Sequence, residues 1–412
     1  MPVSRREWLQ GMGAIAVGAS LPGGSVSLPG FRTAFPRKDD FTITEGFTYL
    51  NGAYTHPMPR AAAEASRQVA TRRSTLAPAT DAQFSRPNGD PRAAFASLIN
   101  ARPSELSLIP NTSTGENLVV EALGIPGGGD YNVVTDALHF DGALVHLYEL
   151  QKQGLDLRVV TPKDGRIEMA DLERVVDGKT RLIEVSLVAM YNGFQHDLKA
   201  VCDLAHAHSA YVYADVIQGV GAVPFDVRAT GVDFAATASY KWLMGDFGIG
   251  FLYVREELLD RIHRPHWSYE SAPDADIHQS PFDPEHGKVL TYTPGTTAAE
   301  CFQLGTMDYT ALAALGVSIP YIQSLGVENI QRHRQPMIDR LQSELPRLGF
   351  TPQTPAGSTS PIVTFAHHDA EGITRKLQKA QVEVRVAPYW MRIAPSVYND
   401  IHDIDRLLEA LH

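Results

Sequence analysis

Cysteine is scarce in this sequence. Only Cys202 and Cys301 occur among 412 residues, and they form neither a CxxC pair nor the cluster with histidine that a zinc site needs. The pattern also gives no basis for a disulfide framework. We therefore expect no structural metal, and we interpret both thiols as core side chains.

Positive charge is also in short supply. The chain has 36 lysines and arginines against 47 aspartates and glutamates, for a net charge of -11. Nucleic acids and anionic membrane surfaces attract basic faces, so neither is the expected partner. The composition favours a role with small molecules.

The apolar stretch near the N-terminus is too short to span a bilayer permanently. The segment "SRREWLQ" and the following "GMGAIAVGASLPGG" have instead the charged and apolar regions of an export signal. Arg5 and Arg6 favour the twin-arginine route, so we assign residues 1–30 to such a signal, although no A-x-A cleavage site is present. A periplasmic or otherwise exported location follows; the alternative is an ordinary amphipathic helix.

The remaining pattern predicts an α/β fold. From about residue 103, short runs rich in Val, Ile and Tyr alternate with helical segments, which is typical of a large, mixed, mostly parallel sheet covered by helices on both faces. The C-terminal part predicts a smaller α+β unit. We expect a large domain over 57–300 and a small domain built from 40–56 and 301–412.

One lysine stands out in the segment "ASYKWLMGDFGIG", residues 238–250, which joins an apolar run to a glycine-rich loop. A lysine is seldom buried without a partner, and a desolvated lysine becomes a nucleophile toward carbonyl groups. Lys241 is therefore a candidate for forming a Schiff base. The alternative is a surface turn with the lysine in solvent.

Two further side chains are expected to converge on this lysine. Asp215 ends the predicted strand "YVYAD", and Gln218 follows on the next turn; in open α/β sheets, ligands bind beyond the carboxyl ends of the strands. An amine, a carboxylate and an amide there would suit pyridoxal phosphate, with Asp215 at the ring nitrogen and Gln218 at the phenolic oxygen. The alternative for Asp215 is a helix or turn cap.

The phosphate of that cofactor would need a helix N-terminus. The segment "NTSTGEN" follows an apolar run and opens a helix, so Thr112 and Ser113 offer hydroxyls together with backbone N–H donors. Tyr240 is another candidate donor to the phosphate. His139 follows a predicted strand and would lie against the cofactor ring, although a lone histidine there is more often structural.

These residues resemble those of the class V aminotransferase family of fold type I pyridoxal phosphate enzymes, which includes cysteine desulfurases, kynureninases and isopenicillin N epimerase-like proteins. The stretch from "YADVIQG" to "GIGFLYV" carries the resemblance most specifically. It implies that Lys241 forms the Schiff base, that Asp215 faces the ring nitrogen and that Gln218 faces the phenolic oxygen. His139 would stack on the ring, and Thr112 and Ser113 would bind the phosphate.

The resemblance also implies a homodimer and a substrate anchor. "FQLGTMDY" is similar to a family element whose threonine, here Thr306, completes the partner subunit's phosphate site. "MRIAPSVYN" is similar to the closing segment, in which Arg392 would bind the substrate α-carboxylate through a bidentate fork. Arg385 would assist it.

Two departures from the family's pattern limit the reactions that we expect. Cysteine desulfurases carry a nucleophilic cysteine before the carboxylate-binding arginine, whereas only "VAPYWM" separates Arg385 from Arg392 here. The family's asparagine near the phenolic oxygen is replaced around Met190, with Asn192 close by. We expect an exported aminotransferase-like enzyme acting on the amine of an amino acid or peptide-like metabolite; the alternatives are an epimerase, a carbon–sulfur lyase and a binding protein without catalysis.

Overall fold

The computed structural model describes residues 34–75, 90–278 and 287–412. The predicted export signal, residues 1–30, lies outside the described residues. The strands in the described part of the chain are β1 Thr48–Tyr49, β2 Leu106–Ile109, β3 Asn132–Asp136, β4 Asp156–Val160, β5 Thr180–Ser186, β6 Tyr211–Asp215, β7 Phe234–Ala238, β8 Gly250–Val254, β9 Asp276–Ile277, β10 Leu290–Thr291, β11 Thr351–Pro352, β12 Val363–Ala366, β13 Val382–Glu383, β14 Arg385–Val386 and β15 Trp390–Ile393.

The α-helices lie between and after these strands, and short 3-10 helices complete the connections. The α-helices are α1 Arg60–Ser74, α2 Pro91–Ile99, α3 Thr112–Ala122, α4 Asp141–Lys152, α5 Met169–Glu173, α6 Leu198–Ala207, α7 Val227–Thr230, α8 Ala298–Phe302, α9 Tyr309–Leu325, α10 Val327–Glu344, α11 Ala370–Lys379 and α12 Ile401–Leu411. The 3-10 helices are Lys38–Asp40, Pro103–Glu105, Ile125–Gly127, Glu256–Leu258, Tyr269–Ser271 and Leu345–Leu348.

The large sheet has seven strands in the order β2-β8-β7-β6-β5-β3-β4. The pairs among β3 to β7 are parallel, and only β8 runs against its neighbours β7 and β2. The predicted α/β class with a mixed, mostly parallel sheet is therefore confirmed. Because β2 and β3 to β7 point the same way, their carboxyl ends meet along one edge of the sheet.

Apolar cores cover both faces of this sheet. Successive residues of a strand point to opposite faces, and β6 shows the result: Val212 and Ala214 belong to one core cluster and Tyr213 to the other. β8 alternates in the same way. Each fully buried aliphatic or aromatic side chain contributes roughly 1.5–3 kcal/mol by leaving water, so the sheet is a rigid base for the loops at its edge.

A second, antiparallel sheet has the order β11-β12-β15-β14. Its core gathers side chains of α10, α11 and α12 around Phe365 and Met391. The chain before the large sheet is attached to this part, since β1 pairs in parallel with β13 and Asn51 bridges to Ala394. The exact domain limits given above stay a prediction.

Among the described residues, no single helix is long and apolar enough to cross a membrane. Only the pair Tyr309–Leu325 and Val327–Leu348 meets the requirement jointly, by length and composition, and the two helices are bent by 72° relative to each other.

The loop after Lys241 is tied back on Ser239. The backbone N–H of Ser239 donates to the Ile249 carbonyl (2.9 Å), and its own carbonyl accepts from the Gly245 N–H (2.9 Å). Its hydroxyl donates to the Asp246 carbonyl. These bonds fix the ends of the loop, so Lys241 is held on an ordered turn rather than on a free surface segment.

Glycine is required where the loop re-enters the sheet. A Cβ on Gly250 would lie 2.0 Å from the Thr237 carbonyl oxygen, a backbone atom of the adjacent strand. The close approach of β7 and β8 at this point therefore excludes any side chain.

We expect Gly250→Ala to lower the thermal unfolding midpoint, because the strands must separate to admit the methyl group, at a cost of about 1–3 kcal/mol. Gly127→Ala is the matched control, since a Cβ there meets nothing within 4 Å. Differential scanning fluorimetry of both variants is the measurement. Equal midpoints for the two variants would contradict the steric account.

Candidate active site

Lys241 lies at the sheet edge, just after β7, and is only 8% exposed. Burial lowers the pKa of its amine to about 8, while the nearby Asp215 opposes this effect and Arg392 adds to it. Removing an ammonium group from water favours its neutral form. The solvent-facing turn considered above is therefore excluded, and the amine is available as a nucleophile or base near neutral pH.

Asp215 is the last residue of β6 and is also buried, at 4% exposure. Burial raises the pKa of its carboxyl to about 6; the Ile217 N–H, 2.9 Å from Oδ1, and Lys241 pull it the other way. Above that pH the carboxylate is ionised and can hold a proton on a facing ring nitrogen. Its N–H partner fixes one oxygen, so the direction of the group is set before any ligand binds.

A small cavity joins Asp215 to the start of α3. Its lining residues come from the loops and helices at the carboxyl edge of the large sheet: Thr112, Ser113, Glu116, His139, Phe140, Ala143, Tyr213 and Asp215. Sequence reasoning named four of these. It missed Glu116, Phe140, Ala143 and Tyr213, because only the fold places these positions around the same space.

The phosphate end of the cavity is a helix N-terminus. Asn111 caps α3, its Oδ1 accepting the Thr114 N–H at 2.9 Å. The N–H groups of Thr112 and Ser113 lie in the first turn and have no acceptor within the helix. Together with the positive end of the helix dipole, they form a site suited to a phosphate.

His139 and Phe140 present different surfaces to the cavity. His139 is 0% exposed, with Nδ1 2.9 Å from Ser186 Oγ and Nε2 3.9 Å from Glu184 Oε2. Burial lowers its pKa to about 4, so the ring is neutral. Phe140, at the start of α4, is half-buried and offers the more accessible aromatic ring. The ring-stacking role expected for His139 stays a prediction.

Gln218 is held by two neighbours. Its Nε2 donates to the Ala53 carbonyl (2.9 Å), and its Oε1 accepts from Trp242 Nε1 (3.0 Å). One Nε2 hydrogen remains for a ligand, so a bond to a phenolic oxygen stays a prediction. Trp242 directly follows Lys241, so this bond links Gln218 to the segment that carries the lysine.

Asn192 and Met190, the two candidates for the asparagine position of the family, make different contacts. Asn192 donates to the Gly165 carbonyl (2.8 Å) and accepts from the Phe194 N–H (3.0 Å). Its amide therefore stabilises a backbone turn. The Met190 carbonyl accepts instead from Arg392 Nη1 at 2.9 Å, which places Met190 against the predicted substrate anchor.

Arg392 lies on β15 and is 4% exposed. Burial lowers its pKa to about 10, and the positive charge of Arg385 adds to this effect. Within the described chain its Nε has no hydrogen-bond partner. The guanidinium is thus a buried cation near Lys241 with donor capacity left for a carboxylate.

Tyr240 and Thr306 lie outside the cavity lining. The Tyr240 ring stacks on Phe247 at 4.8 Å between centroids, and Lys241 Nζ is 5.8 Å from its centre. Thr306 is exposed, and its Oγ1 lies 2.9 Å from the Tyr269 hydroxyl. The phosphate roles expected for both residues stay predictions.

Neither cysteine belongs to the site. Both are buried free thiols, and burial raises the pKa of Cys202 to about 12 and that of Cys301 above its usual range. Thiols of this kind are unreactive as nucleophiles.

These observations fit pyridoxal phosphate. A buried amine of lowered pKa, a directed carboxylate and the N-terminus of α3 surround one region at the sheet edge, and a partly exposed aromatic ring lines it. The chemistry of this donor set matches the aldehyde, ring nitrogen and phosphate of that cofactor.

Comparison with known proteins agrees with this interpretation. Residues 49–407 match the family model described as aminotransferase class-V. A probable cysteine desulfurase from Methanothermobacter thermautotrophicus is 29% identical over 74% of each chain. A cysteine desulfurase from Escherichia coli is 28% identical over 76% of this chain and 79% of that protein.

Solved structures show the same fold. The apo cysteine desulfurase of Thermococcus onnurineus superimposes with a TM-score of 0.78 at 20% identity, covering 91% of this chain and 97% of the other. The cystine C–S lyase C-DES, in complex with its reaction product cysteine persulfide, gives 0.75 at 20% identity over 89% and 97%. The family match spans most of the sequence and the site fits the cofactor, so the chain belongs to the class V aminotransferase family of pyridoxal-phosphate-dependent enzymes.

Proposed function

We propose that this protein removes the α-proton of a small amino acid and cleaves a carbon–sulfur bond at its β-carbon, without using a thiol of its own. The observation that carries the proposal is the buried amine of Lys241 within electrostatic reach of Asp215 and Arg392, with its pKa near 8. The resemblance to cysteine desulfurases and to a cystine C–S lyase supports the choice of bond.

Each residue has a separable task. Arg392 binds the α-carboxylate, and its bond to the Met190 carbonyl (2.9 Å) fixes the plane of the guanidinium. The neutral amine of Lys241 takes the proton from Cα as general base. When bound, pyridoxal phosphate supplies the electron sink for the pair left on Cα.

Asp215 and α3 keep that electron sink in place. Above about pH 6 the Asp215 carboxylate is ionised and would hold a proton at the ring nitrogen of the bound cofactor. The first turn of α3 would hold the phosphate through its N–H groups and dipole. Lys241, Asp215 and Arg392 are all nearly inaccessible to water, which strengthens each of these electrostatic contacts.

In this scheme the sulfur atom is released as part of a small-molecule product and is not transferred to a cysteine of the protein. The hairpin from Arg385 to Arg392 carries no cysteine, and the buried thiols of Cys202 and Cys301 have raised pKa values. No protein group is therefore suited to accept sulfur. A thiol or persulfide would be released, in line with the cysteine persulfide that is the reaction product of C-DES.

The proposal includes a homodimer in which Thr306 serves the partner subunit's phosphate site. Thr306 is exposed, and so is Tyr269, whose hydroxyl lies 2.9 Å from Thr306 Oγ1. Trp267 and Tyr292, whose rings contact each other, are also at least half exposed. An exposed apolar surface of this kind is typical of an interface. Light scattering on the purified protein should give the mass of two chains; a monomer mass at micromolar concentration would contradict this part.

The central assay follows products from cystine and S-ethylcysteine, with norleucine as the sulfur-free control. We expect pyruvate and the sulfur product in equal amounts, namely cysteine persulfide from cystine and ethanethiol from S-ethylcysteine, with ammonia released in both cases. Lys241→Ala should lower the rate at least about 10²-fold, since it removes the general base. The double variant Cys202→Ala, Cys301→Ala should retain the wild-type rate.

Three outcomes would change the assignment. Loss of product in a folded double-cysteine variant would point to sulfur transfer through a protein thiol. A keto acid that keeps its sulfur substituent would indicate transamination, the reaction expected from the sequence. Exchange of the α-proton without either product would indicate epimerisation.

A further inference from the structure

We propose that the site accepts amino acids that carry a second acidic group in the side chain, and that Arg385 binds this group. The inference rests on the proposed function only in placing the α-carboxylate on Arg392. It assigns Arg385 a ligand of its own rather than a share in the α-carboxylate.

The two arginines are directly paired across a hairpin. β14 and β15 are antiparallel, and Arg385 lies opposite Arg392 in their register. Residues opposite each other in such a pair project from the same face, and like charges there destabilise the sheet. The charge of Arg385 also contributes to the lowered pKa of Arg392. An anion bound beside the two arginines would relieve this repulsion.

No acidic side chain of the described residues supplies that anion. Arg392 bonds to the Met190 carbonyl, which is neutral, and Arg385 lies 5.6 Å from the Tyr54 ring centre. Glu383, the last residue of β13, is the nearest acidic residue in the sequence, and it forms no ion pair with either arginine in the described chain. Two positive charges thus stand together without a carboxylate partner.

Arg385 lies at the mouth of the site and not on a remote surface. The backbone that carries Tyr54 is joined to Tyr240, because the His56 N–H donates to the Tyr240 carbonyl at 2.9 Å. The Tyr240 ring in turn lies 5.8 Å from Lys241 Nζ. A series of contacts therefore connects Arg385, through Tyr54 and the backbone of His56, to Tyr240 and the reactive amine.

The different depths of the two guanidiniums favour two separate anionic groups. Arg392 is buried at 4% exposure, within electrostatic reach of Lys241, whereas Arg385 is exposed. A carboxylate on the α-carbon must lie near Lys241, so it belongs to the buried arginine. The outer arginine then faces the far end of the side chain, and one carboxylate would leave one of the two charges without a partner.

The test is the binding of glutarate and of its monoamide, glutaramate, to the holoenzyme by isothermal titration calorimetry. The two probes have the same shape and differ by one charge. We expect the wild-type protein to bind glutarate about tenfold more tightly or better, since the second carboxylate forms a charge-assisted hydrogen bond. In Arg385→Met the two affinities should converge to within about twofold, with the affinity for glutaramate unchanged.

Arg347→Met is the matched control, because it removes the same charge from a 71%-exposed arginine paired with Glu344. It should leave the glutarate preference intact, and Arg385→Lys should retain part of it. The thermal midpoint and the visible absorption of the bound cofactor will show that each variant is folded and loaded.

Two results would overturn the inference. If Arg385→Met lost affinity for both probes to the same extent, Arg385 would be helping to bind the first carboxylate. Equal binding of the probes by the wild-type protein would mean that no second anion is recognised. Neither result depends on turnover: a glutarate preference in a protein that converts no amino acid would support the binding inference and contradict the proposed function.

Discussion

The structure of the site depends on one constraint, the burial of the Lys241 amine at the end of a parallel strand. An ammonium group at 8% exposure is costly unless it loses its proton or gains a partner. The fold provides Asp215 in the adjacent strand β6, and the loop closed by Ser239 prevents the amine from moving into solvent. The reactivity of the Lys241 amine is thus a consequence of its buried position at the end of β7.

The other charged groups of the site follow the same rule. Burial raises the pKa of Asp215 to about 6 and lowers that of Arg392 to about 10, each toward its neutral form. A protein rarely retains such groups in its interior without a use for them. The protonated ring nitrogen of the cofactor and the carboxylate of a substrate are the partners that would stabilise the charged forms of Asp215 and Arg392. Cofactor binding and substrate binding therefore both compensate for the burial of a charged side chain.

Much of this could be predicted from the sequence, because strand endings are visible in it. The apolar runs before Asp215, Thr112 and Lys241 indicate strands, and strands of one sheet that run in the same direction bring their carboxyl ends to the same edge. The α/β class, the mixed sheet and the convergence of these three residues all follow from that pattern.

Other features depend on contacts between distant segments, which a single sequence does not reveal. Arg385 faces Arg392 because of the register of a hairpin. Gln218 forms hydrogen bonds with Trp242 and with the Ala53 carbonyl because three separate segments pack together. The sequence pointed to His139, which lines the cavity, but the half-buried Phe140 ring beside it becomes visible only in the fold.

The most direct test of the account is the pH dependence with which the apoprotein captures pyridoxal phosphate. After brief incubation and borohydride reduction, mass spectrometry would quantify the label on the peptide that contains Lys241. Only the neutral amine attacks the aldehyde, so capture should rise with pH and reach half its maximum near pH 8, against 10.5 for an ordinary lysine. A midpoint near the ordinary value, or a label spread over other lysines, would contradict the claim that burial prepares this amine.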